Sequence, residues 1–106
     1  MQDNLTPKQS ITVLIADDHA ILREGLRGLL DEFDDITVVG EAVTGVDAIR
    51  KTRELRPDIL LLDLIMPKLG GVEALEVVGT EVPGTKTIIL TGADNDELLA
   101  RSIQAG

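Results

Sequence analysis

Three carboxylates in this chain are spaced so that they can act together. Asp17 and Asp18 close the apolar run Ile11 to Ala16, and Asp63 closes the run Ile59 to Leu62. Short apolar runs between turn signals read as buried strands, which puts three acids at the ends of two strands. In an open parallel sheet, ligands settle outside the carboxyl ends of strands where the strand order reverses, and these side chains are expected to converge there. Two carboxylates about 4 Å apart at an effective dielectric near 20 repel by roughly 4 kcal/mol, and a third adds to this. Protons or a cation must offset the repulsion. Oxygen-only ligands favour a small hard ion, Mg2+ over Zn2+, and Mg2+ completes its shell with water and phosphate oxygens. A carboxylate beside such an ion is a candidate nucleophile for phosphoryl transfer.

Taken singly, each acid has a plainer role. Asp18 could cap a helix, Asp17 could end a strand and Asp63 could cap a turn. Three acids at two adjacent strand ends favour the shared pocket. His19, the only histidine, reads as an exposed residue at a helix entry. Met66 and Pro67 read as shaping the loop that places Asp63, and Arg50, Lys51, Arg53 and Arg56 as the solvated face of a helix.

Composition narrows the class. The 106 residues suit one domain, and 43% hydrophobic content excludes a disordered chain. Phe33 is the single aromatic residue, which leaves the core to Leu, Ile, Val and Ala. With no cysteine there is neither a disulfide nor a thiolate metal site, as suits a cytoplasmic protein. No stretch is apolar and long enough to span a membrane. Nineteen acidic against ten basic residues leave a net charge of −9, which argues against direct contact with nucleic acid.

The elements that must position the acids alternate. A strand at Ile11 to Ala16 precedes a helix expected to bury Ile21, Leu22, Leu26, Leu29, Leu30 and Phe33, with Arg23, Glu24 and Arg27 facing out. Ile36 to Val39 reads as a second strand. Thr44 and Asp47 resemble a capping box for a second helix, striped by Val46, Ala48, Ile49 and Leu55 and ending before Pro57. Ile59 to Leu62 reads as a third strand. Gly70 and Gly71 are expected to loosen the loop before a helix through Val72, Leu75 and Val78. Thr87 to Leu90 reads as a fourth strand ending at Thr91, followed by a helix near Asp94 to Ala105. Residues 1–10 read as a flexible tail and 11–106 as one domain. Such alternation implies right-handed crossovers and a doubly wound parallel α/β sheet. Neither a G-x-G-x-x-G fingerprint nor a P-loop is present.

The stretch Ile11-Thr-Val-Leu-Ile-Ala-Asp-Asp-His19, the run Pro57-Asp-Ile-Leu-Leu-Leu-Asp-Leu-Ile-Met-Pro67 with Gly71 beyond, and Ile88-Ile-Leu-Thr91 together resemble the receiver domain of bacterial two-component response regulators. Asp18, Ala20, Arg23, Glu24, Gly25 and Leu26 resemble its NarL/FixJ branch, whose members usually carry a LuxR-type helix-turn-helix output. The resemblance implies a flavodoxin-like fold with strand order 2-1-3-4-5. It implies that Asp63 accepts a phosphoryl group from a sensor histidine kinase. It further implies that Asp18, Asp63 and the backbone carbonyl of Ile65 bind Mg2+, with Asp17 ligating through water, and that Thr91 is the switch hydroxyl. DNA would be reached only through an output domain outside these residues.

The family pattern continues into a fifth strand, ending in a lysine that contacts the phosphoryl group, and a fifth helix. This chain stops at Gly106, and neither Lys86 nor Lys68 matches that lysine. The fold is therefore expected to lack the last strand and helix. The fourth strand is expected to form an exposed apolar edge able to pair into a homodimer, and a monomeric mass by light scattering would exclude this. Three functions compete: a phosphorylation switch and not an enzyme, an aspartyl-nucleophile phosphatase, or a phosphorylation-independent interaction module. The phosphatase pattern D-x-D is absent, since Leu64 and Ile65 follow Asp63.

Overall fold

The computed structural model describes residues 10–66 and 70–90. Within them β1 (Ile11–Ala16), α1 (Ala20–Leu30), β2 (Ile36–Ala42), α2 (Gly45–Leu55), β3 (Ile59–Leu62), α3 (Gly71–Glu81) and β4 (Lys86–Ile89) follow in turn. The four strands form one parallel sheet in the order β2-β1-β3-β4. The connection β1 to β2 runs one way along the sheet and the later ones run the other. Right-handed crossovers therefore put α1 on one face and α2 and α3 on the opposite face. α2 packs on α3, whereas α1 rests mainly on β2. No helix among the described residues is long and apolar enough to cross a membrane.

Strands covered on both faces need no polar alternation, and β1 shows this: Val13, Leu14, Ile15 and Ala16 are all buried. Leu14, Leu60 and Leu62 meet Ala48, Ile49, Leu75 and Val78 in the main core. Each large aliphatic side chain buried there contributes about 1.5–3 kcal/mol. The register of β1 against β3 is locked at the far end of the sheet from the acids. There Thr12 N and Oγ1 donate to Asp58 Oδ2 at 2.9 and 3.1 Å, and Asp58 N donates to Thr12 Oγ1 at 2.9 Å. Because a one-residue slip would turn every side chain to the other face, this latch also fixes Ala16 opposite Leu62.

The structure corrects several expectations. The first helix does not bury its apolar stripe: Ile21 is 85% exposed, and Leu22, Leu29 and Phe33 are exposed as well. Among the described residues no second helix stands beside α1 on its face of the sheet, and an amphipathic pattern specifies a buried face only where a neighbour covers it. Arg23 and Arg27 do not simply face out, since both pair with Glu41. β2 runs on to Ala42, because an irregularity between Val13 and Leu14 shifts the register and lets the strand continue through Gly40 and Glu41.

In α2, Thr44 Oγ1 accepts from Asp47 N at 3.0 Å, but the Asp47 carboxylate turns to Arg50 and Lys51 and does not complete the box. Its buried side is Gly45, Ala48, Ile49 and Thr52, while Val46 and Leu55 are exposed. Thr52 tolerates burial because its hydroxyl donates to Ala48 O at 2.6 Å. The helix ends at Arg56, in the left-handed region at φ 44°, just before Pro57. β4 begins one residue early, at Lys86. Pro67, Lys68, Thr91 and the helix expected near Asp94 to Ala105 lie outside the described residues.

Gly71 does not loosen a loop. It opens α3 directly beneath the β3 terminus, where a Cβ would fall 2.4 Å from Asp63 O and from Leu64 Cα, both backbone atoms. Gly71→Ala is expected to destabilise by about 3 kcal/mol, the upper part of the overpacking range. Gly25→Ala, in α1 with nothing within 4 Å of the added methyl, should stabilise by about 0.5–1 kcal/mol. Urea denaturation of both variants measures the contrast.

Candidate functional site

The two central strands deliver their acids to one point. The parallel ladder runs one residue past each strand: Asp17 N donates to Ala42 O at 3.0 Å and Asp63 N donates to Ala16 O at 2.9 Å. Asp17 and Asp63 thus stand abreast at the carboxyl ends of β1 and β3, where the strand order reverses. Asp17 is fully buried, Asp63 is 2% exposed, and the side chain of Asp18 is 35% exposed. Ligand atoms of Asp17, Asp18, His19 and Asp63 all lie within 4.8 Å of one another. The structure therefore brings together the three acids singled out in the sequence.

Each buried acid also serves as a local turn cap. Asp17 Oδ1 accepts from His19 N at 2.7 Å, and Asp63 Oδ1 accepts from Ile65 N at 3.0 Å. These bonds orient the carboxylates without satisfying the cluster: Asp17 Oδ2 is buried with no hydrogen-bond partner among the described residues. A buried unpaired oxygen beside two further carboxylates fits a cation, and an oxygen donor set suits Mg2+. Asp18 does not cap α1, whose N-cap is His19 and makes no side-chain cap bond. Ile65 presents an exposed side chain beside the pocket. Buried Leu64 and Met66 anchor its loop.

His19 is more than a helix-entry residue. Its ring is exposed, as expected, but Nδ1 reaches Asp17 Oδ1 at 2.8 Å and Asp18 Oδ1 at 3.2 Å. The hydrogen bond to Asp17, then the charges of Asp18 and of Asp17, hold the imidazole above its ordinary pKa. Sequence pattern alone does not reveal Arg23 as a support: its Nη1 donates to Asp17 O at 2.8 Å while Nε donates to Glu41 Oε1 at 2.7 Å. Arg27 Nη1 completes the arrangement, donating to Glu41 Oε2 at 2.6 Å. Glu41 lies inside β2, one residue before its end at Ala42, and an acid so near a strand's carboxyl end is the sequence signal that marks it. A separate cleft of about 390 Å³ between α2 and α3 is lined by Val46, Ile49 and Val77 and contains none of these acids. The acid cluster therefore lies at the strand ends, apart from that cleft.

The fold and this acidic pocket define a signalling receiver, and the comparisons agree. Residues 13–106 match the model of the response regulator receiver domain, and the chain belongs to that family. It is 43% identical over 96 residues to the response regulator protein VraR of Staphylococcus saprophyticus, covering 91% of this chain and 46% of that one. Among solved structures it resembles the signal receiver domain of NarL from Mycobacterium tuberculosis, at 28% identity and a TM-score of 0.86 over 92% of this chain and 79% of that one. It also resembles a LuxR-family two-component response regulator from Aurantimonas, at 31% identity and a TM-score of 0.81, covering 92% and 70%. The branch is thus the LuxR/NarL type, with the flavodoxin-like receiver fold. The chain spans about half the length of the curated relatives it matches.

Two arginines and their hydrogen bonds, that from Arg23 foremost, hold the Glu41 carboxyl below the ordinary carboxylate range against the opposing effect of burial. A lowered folded-state value means that the stabilisation is present above the ordinary range and lost as pH falls through the lowered value. Glu41→Gln should therefore reduce the melting temperature at neutral pH, and the gap should close in acid. Thermal melts across that range check this, and a gap that persists in acid would place its origin outside the ion pairs.

Proposed function

We propose that this domain is a phosphorylation-controlled switch in which Asp63 takes a phosphoryl group from the histidine of a sensor kinase. The convergence of Asp17, Asp18 and Asp63 at the ends of β1 and β3 carries this reading. In the transfer, a carboxylate oxygen of Asp63 attacks phosphorus, a P–O bond forms, and the P–N bond to the donor imidazole breaks. Asp63 Oδ1, anchored by Ile65 N–H, fixes the orientation of the nucleophile. Asp17, Asp18, Asp63 and the Ile65 carbonyl are the residues proposed to hold Mg2+, which when bound neutralises the acids and the incoming phosphoryl oxygens. Gly71 permits the close approach that sets the Asp63 backbone.

Phosphorylation adds charge and acceptor oxygens in a buried pocket. Thr91, proposed as the switch hydroxyl, directly follows Leu90, whose N–H is bonded to Leu62 O at 2.8 Å one residue before Asp63. Response is then a population shift of about 1–3 kcal/mol, not a refolding. The output we propose is transcriptional control through a DNA-binding domain elsewhere in a longer protein, in keeping with the LuxR family named for one structural neighbour. An acidic surface with a net charge of −9 is consistent with the receiver itself leaving DNA to that domain.

The test is incubation of the chain with acetyl phosphate and Mg2+, read by intact mass. One stable phosphoryl group, abolished in Asp63→Ala, supports the switch. Repeated turnover would point to a phosphatase, and no labelling to a phosphorylation-independent interaction module. Ile65 occupies the position two beyond the phosphoacceptor, where a polar side chain can orient attacking water, and it is apolar and exposed here. Ile65→Asn should therefore shorten the lifetime of the label severalfold, and an unchanged lifetime would refute this role.

A further inference from the structure

We propose that His19 is a fourth ligand of the acidic pocket and tilts its metal preference from Mg2+ towards ions that favour nitrogen, such as Zn2+. This deepens the metal-site reading above and rests on it. His19 Nδ1 lies 2.8 Å from Asp17 Oδ1, 3.2 Å from Asp18 Oδ1 and 3.9 Å from Asp63 Oδ2. Donors roughly 2.0–2.3 Å from a shared ion stand about 3–4.5 Å from one another. All four residues meet that spacing within a small contraction, since their ligand atoms lie inside 4.8 Å. The buried Oδ2 of Asp17, which has no hydrogen-bond partner among the described residues, independently marks an unmet demand for a donor or a cation at the same place.

The imidazole can make this adjustment easily. Its side chain is 68% exposed, so the contacts that position the ring are those to the acids and not packing against the core. His19 N is separately tied to Asp17 Oδ1, which fixes the backbone while the ring keeps its rotation about the side-chain bonds. In the tautomer with the proton on Nε2, the Nδ1 lone pair points to the acids. Three carboxylates alone suit Mg2+ or Mn2+, whereas one added imidazole favours Zn2+, Ni2+ and their neighbours in the affinity order of divalent metals. Asp18 and His19 would then contribute from the loop after β1, and Asp17 and Asp63 from the ends of β1 and β3.

His19 is the only histidine, so ring nitrogen signals from the untagged 106-residue chain report on one residue. The experiment follows the 15N resonances of that imidazole on adding Zn2+ or Mg2+, alongside calorimetric affinities for both ions in wild type and His19→Asn. Asparagine keeps a donor for Asp17 but lacks the imidazole nitrogen. The expected result is a Zn2+-induced shift of Nδ1 and a Zn2+ to Mg2+ affinity ratio that falls about tenfold or more in His19→Asn. A ratio unchanged by the substitution, or Zn2+ bound with Nδ1 unmoved, overturns the proposal and leaves the Mg2+ pocket standing. If wild type binds neither ion, the pocket reading falls and this proposal falls with it.

Discussion

The mutual repulsion of buried carboxylates is the constraint around which this fold is arranged. Parallel pairing of β1 with β3 forces Asp17 and Asp63 side by side, each with its backbone N–H already committed to a neighbouring strand. Neither acid can retreat to solvent without breaking the ladder. Two carboxylates about 4 Å apart at an effective dielectric near 20 repel by roughly 4 kcal/mol, which is a large share of the stability of a domain this size. Such a cost is met by protons or by a cation drawn to the cluster.

The rest of the structure holds that arrangement rigid from three directions. From below, the bare α-carbon of Gly71 lets α3 begin against the Asp63 and Leu64 backbone, and Gly71 N closes the loop on Leu64 O at 3.1 Å. From the side, Arg23 grips the Asp17 carbonyl while Glu41 holds Arg23 and Arg27 together. From the opposite end of the sheet, Thr12 and Asp58 prevent the register slip that would separate the acids. In the switch proposed above, a site positioned by strands and hydrogen bonds would take one added phosphoryl group without losing its own geometry, as a population shift requires.

The two faces of the sheet differ in kind. α2 and α3 share a packed core with β1 and β3, so that side is settled within the described residues. α1 keeps an amphipathic sequence but contributes no buried residue, and its polar side supplies Arg23 and Arg27 to the site. That division explains why the apolar stripe of α1 was readable and its burial was not: periodicity reports which face is apolar, not what covers it.

What the chain order alone determined were the strands, the wound topology and the meeting of three acids, because apolar runs, turn residues and strand-end position are local signals. Thr44 capping α2 and the stop at Arg56 before Pro57 were legible for the same reason. Only the tertiary structure decided that His19 turns its ring back onto the acids, that Arg23 joins Asp17 to Glu41, and that Gly71 is a contact and not a hinge. Arg23 and Glu41 stand 18 residues apart, and Gly71 meets the backbone of a different element. No periodicity records such pairings, since they arise when separate segments are brought within a few ångströms by a shared core.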